Sequence, residues 1–200
     1  MIDLNHHENE LRTRGFERIA GVDESGRGPL AGPVVAAAVI LKPGATFRYV
    51  NDSKKLSEKQ RNLALEEIKE QALSIRIAVV SVEEIDRINI YRASKLAMQS
   101  AVEGLDLTPD FLLIDAMPSA IDIPQRSIIR GDSLSVSIAA ASVVAKTTRD
   151  RYMLEMDGLF PEYGFRYHKG YATKRHVEAI RLYGITPIHR KTFRPIRDML

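Results

Sequence analysis

The 200-residue chain contains no cysteine, which excludes disulfides, thiolate zinc sites and thiol catalysis together. Long apolar runs are also missing. The longest low-charge stretch, Gly28 to Leu41, is too short to span a bilayer and carries Pro and Gly in its first half. The opening residues, MIDLNHHENE, are acidic and histidine-bearing, unlike a signal peptide. No internal repeat or low-complexity segment interrupts the chain, and no GxxxxGK[ST] phosphate loop occurs in it. With 44% apolar and 28% charged residues, the expectation is one folded, cytoplasmic domain with no membrane partner.

Net charge is small, 29 Lys and Arg against 26 Asp and Glu, but it is unevenly spread. Residues 146–200 hold 12 Lys and Arg against 6 Asp and Glu, a net of +6, which leaves the first 145 residues at −3. His168, His176 and His189 lie in the same basic third. That asymmetry points to a polyanion-facing surface beside an acidic region, and a solvated surface without a partner explains it equally well.

Strand and helix patterns alternate along the chain. Arg18 to Val22 and Pro33 to Leu41 read as strands joined by the glycine-rich turn DESGRGPLAG, and Ser74 to Val80 as a third. Ser57 is positioned to cap a helix, EKQRNLALEEIKEQAL, and Val82 to Asn89 and Ile90 to Leu105 read as two more. Asp110 to Ile114 reads as a buried strand ending at Asp115, and Ser127 to Arg130 as a short one. Ser133 to Met156 reads as a long helix whose small first half, SVSIAAASVVAK, suits close approach to a sheet. Tyr163 to Ala172 reads as a loop, and Thr173 opens a last helix through Leu182. The pattern predicts an α/β domain with a mixed sheet.

Four acids stand at element ends: Asp23, Glu24, Asp115 and Asp132. Each alone is explained by a turn, a strand end or an N-cap. Together they could hold two divalent cations about 4 Å apart, because carboxylates at the same end of adjacent strands can converge. Oxygen ligands without cysteine favour Mg²⁺ or Mn²⁺ over zinc. Directly after the first pair comes Ser25-Gly26-Arg27-Gly28-Pro29. Two glycines let backbone approach a ligand and Arg27 adds a donor for phosphate, although a tight turn between strands would look the same.

Five segments resemble bacterial ribonuclease HII: GVDESGRGPLAGPVVAAAVIL, NDSKKLS, LLIDA, GDSLSVSIAAASVVAKTTRDR, and HKGYATKRH through GITPIHRKTF. The match runs from about Ile19 to Arg194 in the family's order and spacing. The resemblance implies a ribonuclease-H-like fold, a central mixed β-sheet flanked by helices with a helical C-terminal part. It also implies two-metal endonuclease activity on the RNA of RNA–DNA hybrids and on single ribonucleotides in duplex DNA. Cleavage would fall 5′ of the ribonucleotide and leave a 3′-hydroxyl and a 5′-phosphate.

Carried over by position, the catalytic and metal-binding acids are Asp23, Glu24, Asp115 and Asp132. Gly26, Arg27 and Gly28 would sense the ribose 2′-hydroxyl, and Tyr171 would pack on the neighbouring deoxyribose. Two positions depart from the family pattern, Ser25 where Ala is usual and Ala116 where Gly is common. Lys54, Lys146, His168 and Lys169 are further candidate substrate contacts, and Asp150 pairs at i, i+4 with Lys146 or backs the site. The domain expectation is a single unit over 1–200, with 1–17 as an N-terminal extension and about 146–200 as the basic substrate-binding part. A monomer is expected, and no protein partner is inferable.

Two other readings remain at this point. Ribonuclease HIII has similar acids, but it carries an added N-terminal domain and usually Thr in place of the Arg27 equivalent. A hybrid-binding module without catalysis would not need the four acids.

Overall fold

In the computed structural model, which describes residues 3–50, 53 and 56–200, the chain begins with a helix that patterning did not anticipate, α1 (His6–Thr13). The sheet follows: β1 (Ile19–Ser25), β2 (Val34–Leu41), α2 (Glu58–Gln71), β3 (Ala72–Val80), α3 (Val82–Ile88), α4 (Ile90–Glu103), β4 (Phe111–Asp115) and β5 (Gln125–Ile128). The long helix α5 (Val136–Leu159), the single turn α6 (Phe165–His168) and α7 (Lys174–Tyr183) complete it. Strand order is β3-β2-β1-β4-β5. β1 runs parallel to β4, and β4 to β5, whereas β2 is antiparallel to both β1 and β3. This is the expected mixed sheet.

Every residue of β2 (VVAAAVIL) is buried, because helices cover both faces of the sheet. On one face Val22, Ala36, Ala38 and Ile40 pack against Ala93, Ala97 and Ala101 of α4. On the other, Ala37, Val39 and Leu41 meet Ile68 of α2 and Ala140 and Val144 of α5. The small residues of α5 let its backbone rest on β1. A Cβ added at Gly21 would stand 2.0 Å from the Ser137 carbonyl carbon, so any side chain there would unseat the helix.

Helix starts follow local chemistry. Ser57 caps α2 in a reciprocal box with Gln60, and Thr173 caps α7. α5 starts at Val136 rather than Ser133, capped by the Ser135 hydroxyl. Glu8 of α1 reinforces that start. Its carboxylate accepts from Ser135 Oγ at 2.6 Å and Ser137 N–H at 2.9 Å, placing negative charge at the positive helix end.

Other boundaries also move. β1 continues to Ser25, so Asp23 and Glu24 lie within a strand rather than after it. β5 covers Gln125–Ile128, because Arg130 adopts a left-handed conformation (φ 58°) that ends the strand. The segment expected as a loop, Tyr163 to Ala172, contains the end of a 3₁₀ turn and the whole of α6. Its aromatics explain this: Tyr163 and Phe165 stack with centroids 5.4 Å apart and join Met153, Ile180 and Ile188 in a C-terminal core. Among the described residues, no helix is long and apolar enough to cross a membrane.

Candidate active site

Parallel pairing decides where the acids meet. Val22 pairs with Ile114 at the ends of β1 and β4, so Asp23 and Asp115, the next residues, emerge at the same sheet edge. They line a cavity of about 280 Å³ together with Glu24, the 26–28 loop and Tyr171. Asp132 is buried but is not among the residues lining that cavity. It sits in the 3₁₀ turn Gly131–Ser133, whose Gly131 N–H donates to Asp115 Oδ1 at 2.7 Å.

The acids are held at a cost. Asp23 is 4% exposed, and burial, with the nearby charges of Glu24 and Asp115, pushes its carboxyl well above the usual range. Its partial compensation is a hydrogen bond with Ser142 of α5 and the Glu24 N–H at 2.7 Å. Ser142 in turn bonds Ser53 at 2.9 Å. Burial also raises Glu24, opposed by Arg27, whose guanidinium lies 3.5 Å from Glu24 Oε1. Glu24 Oε2 is buried with no hydrogen-bond partner. An orphaned carboxylate oxygen among three crowded acids fits a hard divalent cation. Among the described residues no three acidic or imidazole side chains form a ready-made ion cage.

The loop after Glu24 is shaped by two buried arginines. Gly26 has φ 103°, and a Cβ there would lie 2.3 Å from Arg149 Nε, so only glycine fits. Arg190, fully buried, donates to the carbonyls of Gly26 (2.6 Å), Arg27 (3.0 Å) and Gly32 (2.7 Å). Burial lowers its pKa to about 9. Carbonyls turned inward to a cation leave Arg27 and Gly28 exposed at the cavity. The Tyr171 ring lies beside this loop, 3.7 Å from where a Gly28 Cβ would stand, and the residue is 45% exposed.

The remaining candidates separate. Lys146 lines the cavity and its ammonium lies 2.6 Å from Asp150. Asp150 is buried and also faces Arg61 at 3.4 Å, so it is more than a surface partner. Lys169 is half-buried, and its ammonium donates to the Arg166 carbonyl. His168 is corrected from substrate contact to core residue. Its Nδ1 accepts from Gly170 N–H and its Nε2 faces the Tyr163 carbonyl at 3.0 Å, leaving no ring nitrogen for phosphate. His176 and His189 are equally occupied. Thr186 N–H donates to His189 Nδ1, so donor accounting assigns a chain from His189 Nε2–H to His176 Nε2 and from His176 Nδ1–H to the Tyr171 carbonyl. Lys54 lies outside the described residues.

Sequence reading missed Ser142, Ser53, Arg149 and Arg190. A buried arginine carries no sequence mark that separates it from a surface one, and serine in a small-residue helix reads as packing. A larger cleft of about 600 Å³ beside α3 is less suited to a ligand. Both oxygens of its Asp86 already accept from Lys191 and Thr192.

The family model for ribonuclease HII matches residues 20–196. The chain belongs to the ribonuclease HII family. A ribonuclease HII from Bacillus mycoides is 54% identical over 199 residues, covering 100% of this chain and 77% of that protein. Among solved structures, ribonuclease H2 from Pyrococcus horikoshii OT3 superposes with a TM-score of 0.78 at 25% identity, covering 91% of this chain and 96% of that one. Ribonuclease HII from Archaeoglobus fulgidus, solved as a complex with PCNA, gives 0.72 at 26% identity, over 86% and 92%. The fold is therefore ribonuclease-H-like, and the chain is an endonuclease of the ribonuclease H type.

Proposed function

We propose that the cavity at the β1 and β4 ends is the catalytic centre, and that it hydrolyses the phosphodiester on the 5′ side of a ribonucleotide in hybrid or duplex. Water adds to phosphorus and the P–O3′ bond breaks, leaving a 3′-hydroxyl upstream and a 5′-phosphate on the ribonucleotide. One observation carries this reading: Asp23, Glu24 and Asp115 share a single cavity with the glycine loop and Tyr171.

Asp23, Glu24 and Asp115, with Asp132 beside them, would hold two Mg²⁺ or Mn²⁺ ions. Such ions, when bound, supply an activated water and charge compensation at the leaving oxygen. The chain's own groups do the selecting. Gly26 and Gly28 bring backbone within reach of the sugar, and Arg27 offers a charge-assisted donor. The exposed Tyr171 ring offers an apolar face to the next sugar, which lacks a 2′-hydroxyl. Lys146 at the cavity wall is a further cation for phosphate, and Lys54 and Lys169 are weaker candidates. The basic C-terminal third would follow the duplex backbone, with the whole chain acting as one catalytic unit.

The test compares Tyr171→Ala and Tyr171→Phe on a duplex with one ribonucleotide and on a continuous hybrid. Tyr171→Ala is expected to lose about tenfold or more in kcat/KM on the single-ribonucleotide duplex, while Tyr171→Phe keeps most activity. Wild-type turnover of that duplex by Tyr171→Ala would remove the ring from the reading.

A further inference from the structure

The two elements that would read the sugars are fastened to each other by one side chain. Arg149 on α5 is fully buried. Its Nε donates to the Pro33 carbonyl at 3.1 Å and one terminal nitrogen to the Ala31 carbonyl at 2.9 Å, both just beyond the glycine loop. The other terminal nitrogen donates to the Lys169 carbonyl at 3.0 Å, two residues before Tyr171. The segments also touch directly. Leu30 N–H donates to the Gly170 carbonyl at 2.8 Å, and a Cβ on Gly170 would lie 2.6 Å from the Ala31 oxygen. A planar fork of donors can meet three carbonyls on two segments at fixed separation, which a flexible point-charge ammonium cannot.

We propose that Arg149 is a positioning residue for specificity. Its guanidinium sets the gap between the 26–28 loop and the Tyr171 ring, and so governs how strictly a ribose-to-deoxyribose step is preferred over a ribose-to-ribose step. The inference rests on the preceding reading of loop and ring. Both segments are loops, whereas Asp23 and Asp115 are held by sheet pairing. A shift of a few tenths of an ångström between loop and ring therefore alters selection more than it alters the acids.

The experiment measures kcat/KM for Arg149→Lys, Gly170→Ala and Tyr171→Ala on a one-ribonucleotide duplex and on a continuous hybrid of the same sequence. Mn²⁺ binding by calorimetry and thermal melting accompany each protein. Gly170→Ala keeps Arg149 and perturbs the same gap from the other side, so an unchanged ratio in it overturns the inference even if Arg149→Lys does not fold. For both variants the ratio of junction to hybrid kcat/KM is expected to fall about tenfold, with Mn²⁺ affinity unchanged. Equal losses on both substrates, or an unchanged ratio, would overturn the positioning role. If Tyr171→Ala lowers the ratio while the other two do not, the reading of Tyr171 stands and Arg149 is only structural. If Tyr171→Ala leaves the ratio intact, that reading falls and this inference falls with it.

Discussion

Two sets of buried charge meet at the glycine loop, and the protein treats them oppositely. On the anionic side, Asp23 and Glu24 are crowded with Asp115, and Glu24 Oε2 has no hydrogen-bond partner. On the cationic side, every nitrogen of Arg149 and Arg190 donates to a main-chain carbonyl. A buried polar atom left unmet costs free energy and persists where a ligand can meet it, whereas a fully bonded one fixes geometry. The contrast separates a crowded, under-compensated carboxylate cluster from a scaffold whose donors are all met.

Breaking the anionic side is expected to have the largest effect. Asp23→Asn or Asp115→Asn keeps shape and loses charge, so turnover should drop on the order of a thousandfold. The metal-free melting temperature of Asp23→Asn should rise, since repulsion within the cluster is relieved. Wild-type turnover in both variants would remove these acids from catalysis. On the cationic side the expected loss is stability first. Arg190→Met strands the carbonyls of Gly26, Arg27 and Gly32, and denaturant unfolding should report a loss of about 3 kcal/mol or more. A change under 1 kcal/mol, in order-of-magnitude terms, would show that water meets those carbonyls.

Beneath Tyr171 the contrast can be sharpened with pH. Burial and the neighbouring imidazoles push His176 and His189 from 6.5 down to about 4. The unfolded chain then takes up protons first as pH falls, so stability from the neutral pair is present above 6.5 and lost towards 4. Between pH 7 and pH 5, wild type should lose about 4 kcal/mol more unfolding free energy than the His176→Asn/His189→Asn double variant. The raised carboxylates of Asp23 and Glu24 change in the opposite direction and are common to both proteins. Parallel pH curves would refute the buried, neutral assignment. The smallest effect belongs to Ala116, which follows Asp115 with φ 55°. Ala116→Gly should raise unfolding free energy by about 1 kcal/mol, because glycine adopts this conformation without strain. A lower denaturation midpoint would mean that chain entropy outweighs that relief.

Much of this was legible beforehand. The β2 strand, the Ser57 and Thr173 caps and the close-packing half of α5 rest on local patterns that neighbouring residues cannot easily override. The departure noted at Ala116 falls on a left-handed backbone, the conformation that glycine adopts most readily. α1 was not legible, because its apolar stripe is reduced to a buried Leu11 and its anchor is the carboxylate of Glu8. α6 was hidden by a single turn of aromatic and glycine-rich sequence that becomes helical only when Phe165 and His168 are buried.

The sequence by itself determined which groups exist to be used: four acids, two glycines around Arg27, a tyrosine after His168-Lys169-Gly170, and the strands and helices that carry them. Tertiary structure decided which of them meet. Parallel pairing of β1 with β4 brought Asp23 and Asp115 to one edge, while Asp132 stayed off the cavity lining. Burial turned three histidines inward, and it matched two arginines to loop carbonyls up to 164 residues away. The physical reason is that hydrogen-bond partners and electrostatic environment are properties of the space around a side chain. Sequence specifies the donor or acceptor, and only the folded chain specifies what stands 3 Å away from it.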